Sequence, residues 1–309
     1  MGRRAYREAV TAAIVATGLT KRYGAHPGLE QLDLTVEQGE VFGYLGPNGA
    51  GKTTTVRLLL DLIRPTAGGA QLFGLDVRRS SLAIRRRVGY LPGELALYER
   101  LTGDELVTYF AHLRGGVDRR RIVALAERLD VDLTRPIRSL SKGNKQKVGL
   151  VQCFMHEPDL LLLDEPTAGL DPFVQVVVHE LIDEARVAGR TVFLSSHVLS
   201  EVERVAGRVG IIKGGRLIAV EDVAGLKERA SHRVEARFAD AVPVDAFTGL
   251  PGVRVLDAGE RHVRLTVTGS PDAVVKELAR HQLEDLSVRE PDLEEIFLAY
   301  YGEAVGDVG

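Results

Sequence analysis

The sequence has 309 residues, room for about two domains. Hydrophobic residues make up 45% of it and the formal charge is −3, a globular balance that excludes a disordered chain and a strongly basic nucleic-acid binder. The single cysteine, Cys153, excludes an internal disulfide framework and a cysteine-based zinc cluster, and no apolar run reaches the roughly 18 residues that span a bilayer.

In chain order, Met1-Gly2-Arg3-Arg4 and the apolar residues 9–16 have the outline of a signal peptide. Thr11 interrupts that run and Gly18 makes a poor cleavage site, so it reads as a first strand preceded by an extension, residues 1–13. The chain is expected to be soluble and cytoplasmic unless a partner holds it at a membrane. Short apolar pieces at 14–17, 31–36 and 41–45, punctuated by Gly24, Pro27-Gly28 and Gly39, read as strands and turns. Val56, Leu59, Leu60 and Ile63 recur at helical spacing and stop before Pro65, predicting a helix over 53–63. Residues 92–156 read as mainly helical, around 105–113 and 119–129. Strands at 160–163 and 191–194 alternate with helices at 174–187 and 199–206. A hairpin with Gly214-Gly215 at its turn joins strands at 209–213 and 216–220. Alternation of this kind predicts an α/β layer on a largely parallel sheet.

The tail changes character. Strands at 232–238, 253–256, 262–267 and 286–289 are interleaved with helices at 244–250 and from Ser270-Pro271, where Ser270 reads as a cap. A final helix begins at Leu293, with Asp292 and Glu295 at capping-box spacing. The order βαββαβ predicts a small ferredoxin-like α+β unit at 229–309, behind a first domain at 14–228. From Ser231 onward 15 acidic and 8 basic residues give −7, leaving +4 on the first 230. The clusters at 85–87 and 119–121 lack interleaved aromatics and read as solvated helix faces.

Gly46-Pro47-Asn48-Gly49-Ala50-Gly51-Lys52-Thr53 fits G-x-x-x-x-G-K-[ST], with a strand before it and a helix after it. Glycines there let backbone N–H groups cradle phosphate oxygens, and the helix N-terminus adds partial positive charge. Lys52 is placed for the β- and γ-phosphates, and the Thr53 hydroxyl, followed by Thr54, for magnesium. The apolar run 160–163 then delivers Asp164 to a sheet edge as a second magnesium ligand, with Glu165 next to it as a general base for water.

With these motifs the sequence resembles the nucleotide-binding subunits of ABC transporters over residues 14–225. Leu140-Ser141-Lys142-Gly143-Asn144-Lys145-Gln146 is similar to that family's signature loop, departing from its commonest form at Lys142 and Asn144. The resemblance implies that Ser141 and Gly143 cap the γ-phosphate held by an opposite subunit, so that ATP is sandwiched in a homodimer. It also implies that Asp171, in Ala168-Gly169-Leu170-Asp171, lies in the loop crossing that interface, that His197 touches the γ-phosphate, and that Tyr23 stacks on adenine. The family usually carries a glutamine where this sequence has Gly93; whether neighbouring Glu94 replaces it stays open. Pro291 to Gly302 resembles the close of daunorubicin-resistance ATPase subunits. This implies a separately encoded ABC-2 membrane permease, bound near residues 90–115, and peripheral placement on the cytoplasmic side of the cell membrane.

The expected function is an ATPase powering an ABC-2 exporter of a drug or other hydrophobic compound, with ATP and Mg2+ as cofactors. An ABC-type ATPase acting on nucleic acid or ribosomes would favour two cassettes or long insertions, and the acidic tail disfavours polyanions, so no nucleic-acid partner is expected. A GTPase-like switch is the third reading; Asn144-Lys145-Gln146-Lys147 superficially matches a guanine-reading motif, but Lys147 stands where an aspartate is required.

Overall fold

The structure is a computed structural model that describes residues 12–229, 231–242 and 244–289. The chain divides between Val220 and Glu221 into two compact units. In the first, β1 (Ala12–Tyr23), β2 (His26–Glu37), β3 (Val41–Leu45), α1 (Lys52–Leu59), β4 (Ala67–Leu72), β5 (Leu75–Asp76), α2 (Ser81–Arg86) and β6 (Val88–Leu91) are followed by α3 (Gly103–Leu113) and α4 (Arg119–Arg128). Then come α5 (Lys142–Phe154), β7 (Leu160–Asp164), α6 (Pro172–Val187), β8 (Thr191–Ser196), α7 (Leu199–Val205), β9 (Arg208–Lys213) and β10 (Arg216–Asp222).

Two sheets share one core. The antiparallel sheet runs β2-β1-β4-β5 and the other β10-β9-β3-β8-β7-β6, with β3, β6, β7, β8 and β9 parallel where they pair. β3, β7 and β8 are buried along their whole lengths, which is why they read as continuous apolar runs rather than alternating ones. Ile14, Leu32, Phe42, Tyr44, Val56, Leu59, Leu160, Leu162 and Phe193 are packed into that core.

The structure refines several expectations. β1 begins at Ala12, inside the expected extension, and runs to Tyr23 because it pairs with both β2 and β4. α1 starts on Lys52 and ends at Leu59, where Leu60 turns out of helical geometry, well before Pro65. β4, β5 and β6 are additional to the elements expected from the sequence, while α2 carries Arg85 and Arg86 of the cluster read as a helix face. Strand β6 owes its existence to pairing with β7, a tertiary effect a four-residue stretch does not announce. Nor are the arginine clusters merely solvated: Arg85 donates to the carbonyls of Leu60 and Asp61, Arg87 pairs with Asp159 at 2.6 Å, and Arg121 with Glu157 at 2.7 Å. Cys153 is fully buried, and burial pushes its thiol far above the ordinary range.

The second unit contains α8 (Val223–Arg229), β11 (Ser231–Phe238), α9 (Asp245–Thr248), β12 (Val253–Gly259), β13 (His262–Thr268), α10 (Asp272–Leu278) and β14 (Leu283–Arg289). Its sheet is antiparallel throughout in the order β12-β13-β11-β14, the split βαβ arrangement of its chain order. Val234, Phe238, Phe247, Leu265 and Val274 form its core. Ser270 does not cap α10 at the N-cap position, which Pro271 occupies; its hydroxyl accepts from Asp272 N–H instead, at 3.3 Å. The helix expected from Leu293 lies outside the described residues.

Candidate active site

The site forms where β3, β7 and β8 end together. Register places Leu45 beside Ser196 and Asp164 beside Ser195, so the segments following three parallel strands meet at one sheet edge. The 46–51 segment turns there into α1, with Gly46 N–H donating to the Ser196 carbonyl and Gly215 N–H to that of Ala50. Gly51 has φ +110, which an L side chain rarely adopts, and a Cβ on it would lie 2.7 Å from the Gly28 carbonyl. Pro47, Asn48 and Gly49 are exposed at the loop crest, Ala50 is buried, and Thr53 and Thr54 are half-buried in the first turn of α1.

Lys52 is only 6% exposed. Its ammonium donates to the carbonyls of Gly46 (2.5 Å) and Pro47 (3.3 Å), and pairs with Glu165 at 3.2 Å. The Thr53 hydroxyl donates to Asp164 Oδ2 at 2.7 Å, and Ser195 donates to the other carboxylate oxygen. Asp164 is fully buried, so its charge rests on these two hydroxyls. Glu165 also meets His197, whose Nδ1 lies 2.7 Å from Oε2. Glu165 has φ +52, an uncommon backbone conformation for a residue of this type and a reservoir of strain at the centre of the site.

Lys52, Thr53, Asp164, Glu165 and His197 are thus in one contacting group. Tyr23 is brought to its margin: the ring is 48% exposed and lies against Gly28, where a Cβ would stand 2.6 Å from it. Gly28 in turn abuts Gly51, so a glycine spaces the ring from the loop. Ser141, Gly143 and Asp171 stand apart from this group. Ser141 caps α5 by accepting from Asn144 N–H at 3.2 Å, Asp171 caps α6 by accepting from Val174 N–H at 3.1 Å, and Gly143 packs on Gly169. Gly93 faces the buried carboxylate: a Cβ there would be 3.3 Å from Asp164 Oδ2, while Glu94 is exposed.

Sequence reasoning missed two supports. Gln146, 4% exposed, donates to the carbonyls of Glu165 (3.3 Å) and Pro166 (3.1 Å). Glu201 accepts from Thr167 (2.5 Å) and Ser196 (2.8 Å), bridging the chain just after Glu165 to the chain just before His197. A glutamine on an otherwise buried helix face was the readable sign of the first; nothing local announced the second.

A glycine-rich loop running into a helix, a buried lysine and a strand-end carboxylate pair define a P-loop nucleoside triphosphatase. The sequence pattern of the ABC transporter family matches residues 29–168. The daunorubicin resistance ATP-binding protein DrrA3 of Streptomyces coeruleorubidus is 37% identical over 305 residues, covering 94% of this chain and 96% of that protein. The bacitracin transport ATP-binding protein BcrA of Bacillus licheniformis is 38% identical over 194 residues, 61% of this chain and 62% of that one. Among solved structures, the ATP-binding subunit of an ABC transporter superposes with TM-score 0.66 and 31% identity, over 70% of this chain and 92% of that chain. A dimeric ATP-binding cassette in a post-hydrolysis state with ADP and Pi shares the fold, with TM-score 0.63 and 22% identity over 68% of this chain and 98% of that one. The chain belongs to the ATP-binding proteins of ABC transporters, and it is an ATPase of that family.

Proposed function

We propose that this chain is the ATP-hydrolysing subunit of an exporter, driving a separately encoded ABC-2 permease whose cargo is a drug or other hydrophobic compound. The observation that carries the reading is the contact of Glu165 with both Lys52 and His197 beside the Thr53–Asp164 pair. Backbone N–H groups of Asn48, Gly49 and residues 51–54 hold the phosphates, and Lys52 neutralises charge developing on the transferred phosphoryl group. Glu165 accepts a proton from the attacking water, and His197, whose Nδ1 meets the carboxylate in this structure, turns its N–H to the γ-phosphate when nucleotide is bound. Tyr23 presents an exposed face on which adenine stacks.

The residues present suit magnesium. A hydroxyl and a buried carboxylate at 2.7 Å are hard oxygen donors, and no cluster of three or more His, Cys, Asp or Glu side chains able to hold a metal occurs among the described residues. Thr53 and Asp164 would hold the ion, leaving its other positions to phosphate and water. When bound, it offsets negative charge on the β- and γ-phosphates. Gly93 provides no side-chain ligand, and the exposed position of Glu94 favours water in the place of the family's glutamine.

Two copies placed head to tail would let Ser141 and Gly143 of each cap the nucleotide of the other, with Asp171 near the seam. The exposed start of α5 supports this, because its free N–H groups suit an anion. Permease docking is supported by an apolar cleft of about 300 Å³ whose lining includes Tyr90, Pro92, Leu95, Tyr98, Leu106 and Phe110. Tyr98 and Tyr109, edge to face at 6.3 Å, remain exposed beside it. No helix among the described residues is long and apolar enough to cross a membrane. In this reading the permease holds the chain at the cytoplasmic face of the membrane. Purified chain with Glu165→Gln tests the reading: ATP with magnesium converts it to a stable dimer with little phosphate release, and a monomer or unchanged hydrolysis refutes it.

A further inference from the structure

The first turns of α5 touch the 165–171 segment at successive points. A Cβ on Gly143 would lie 2.8 Å from the Gly169 carbonyl, so helix and segment are in backbone contact there. One turn further on, Gln146 reaches the carbonyls of Glu165 and Pro166 through a single Nε2. Beyond it Lys147, almost fully buried, donates to the Asp130 carbonyl at 3.1 Å and lies 4.0 Å from Asp171. Of these contacts only that of Gln146 falls on Glu165 itself, the residue held at φ +52.

A left-handed glutamate persists only where its surroundings over-determine it. Ser195 accepts the Glu165 N–H at 3.0 Å, and Ala168 N–H and the Gln146 amide converge on its carbonyl. β8 and the local turn fix the residue from within the same sheet edge. Gln146 fixes it from a different element, the one whose exposed N-terminus carries Ser141 and Gly143.

We infer that Gln146 is a positioning residue linking the two ATP sites: it ties the orientation of Glu165 to the seating of α5. Movement of α5 when Ser141 and Gly143 engage the nucleotide of a second copy is passed through the Gln146 amide to the Glu165 backbone. The nucleotide sensed by α5 is bound to the other copy, whereas Glu165 acts on the nucleotide held by its own phosphate loop. Each chain therefore tunes its own hydrolysis to the filling of the opposite site, a coupling between two places on one chain. This rests on the head-to-tail dimer proposed above.

The test uses the full chain. Gln146→Glu keeps the side-chain shape but sets carboxylate oxygens against two carbonyls, and protonation would return one O–H donor. Expected are a kcat lower by about tenfold or more and an ATP Kd within about twofold of the parent chain, which separates positioning from binding. The Hill coefficient for ATP falls to about 1. Activity relative to the parent recovers as pH falls from about 8.5 to about 6, because a desolvated carboxyl protonates more readily than a free one. Gln146→Leu, of similar volume with no donor, shows the same kcat loss without the recovery, and reports instead if the glutamate variant does not fold. An unchanged kcat and Hill coefficient in both variants, or a parent coefficient of 1, overturns the link. Adding Glu165→Gln distinguishes the two levels: both Glu165→Gln and Gln146→Glu/Glu165→Gln should dimerise with ATP. If Glu165→Gln alone stays monomeric, the dimer reading fails and the link falls with it.

Discussion

The two units bury different things. Every buried polar or charged side chain among the described residues lies in the first, including Lys52, Thr55, Gln146, Lys147, Asp164, Thr167, Ser195 and Ser196. The second buries only hydrophobic side chains, with polar groups left on the open face of its sheet, as at Arg237, Arg264 and Asp285. An antiparallel sheet with one covered face meets its packing needs with simple alternation. A parallel sheet that gathers strand ends around one point must desolvate charges, and it does so only with hydrogen-bonded partners. Buried polarity gathered at one sheet edge, more than sheet type, marks the candidate site; His179 and Thr191 are buried apart from it.

The sharpest way to break this contrast is to remove the central carboxylate. Glu165→Gln should lower phosphate release by about 100-fold or more, the scale of a lost general base, while ATP binding persists. A chain that still hydrolyses at the parent rate would show that the buried polar cluster is structural. Thr53→Val should come next, leaving Asp164 with one hydroxyl partner in place of two. We expect weaker magnesium dependence of ATPase activity and a loss of about 1–3 kcal/mol in stability, read by magnesium titration and urea unfolding.

The opposite test is made in the second unit. Leu265→Ala opens a cavity in its core and should cost about 2–5 kcal/mol in unfolding of that unit, with ATP affinity unchanged. Loss of nucleotide binding would show that the two units are not independent in the way their contents suggest.

A smaller effect follows from pH. Burial, then the nearby Arg114, pushes His156 down from 6.5 to about 4. Between those values the unfolded chain takes up a proton there that the folded chain does not, so stability falls as pH falls through that window. His156→Gln should flatten the loss, seen as a smaller shift of the urea midpoint between about pH 7 and about pH 5. Smallest of all, breaking the exposed Lys276–Asp272 pair by Lys276→Ala should change stability by about 0.5 kcal/mol or less.

How much of this was legible follows from the range of each interaction. The phosphate loop and the Asp164-Glu165 pair could be read because their geometry is local: glycines make the turn, and an apolar strand carries the carboxylates to its end. β6 could not, since Val88–Leu91 becomes a strand by pairing with β7 across some seventy residues of sequence. Glu201 is of the same kind; its value lies in meeting Thr167 and Ser196 from a third element. Tyr23 is intermediate, because its aromatic character is visible in the sequence while the glycine contact that sets it beside the loop is not.

The burial of Cys153 has a practical consequence. With its thiol closed off from solvent and its thiolate disfavoured, the folded chain is expected to resist water-soluble maleimides, which a labelling time course on the unmodified chain checks. A single cysteine introduced at exposed Tyr98, or at Asn48 on the loop crest, can therefore be labelled without first removing the native one. The parent sequence is already a background for fluorescence or spin-label distance measurements, and unfolding can be followed by the moment Cys153 becomes reactive.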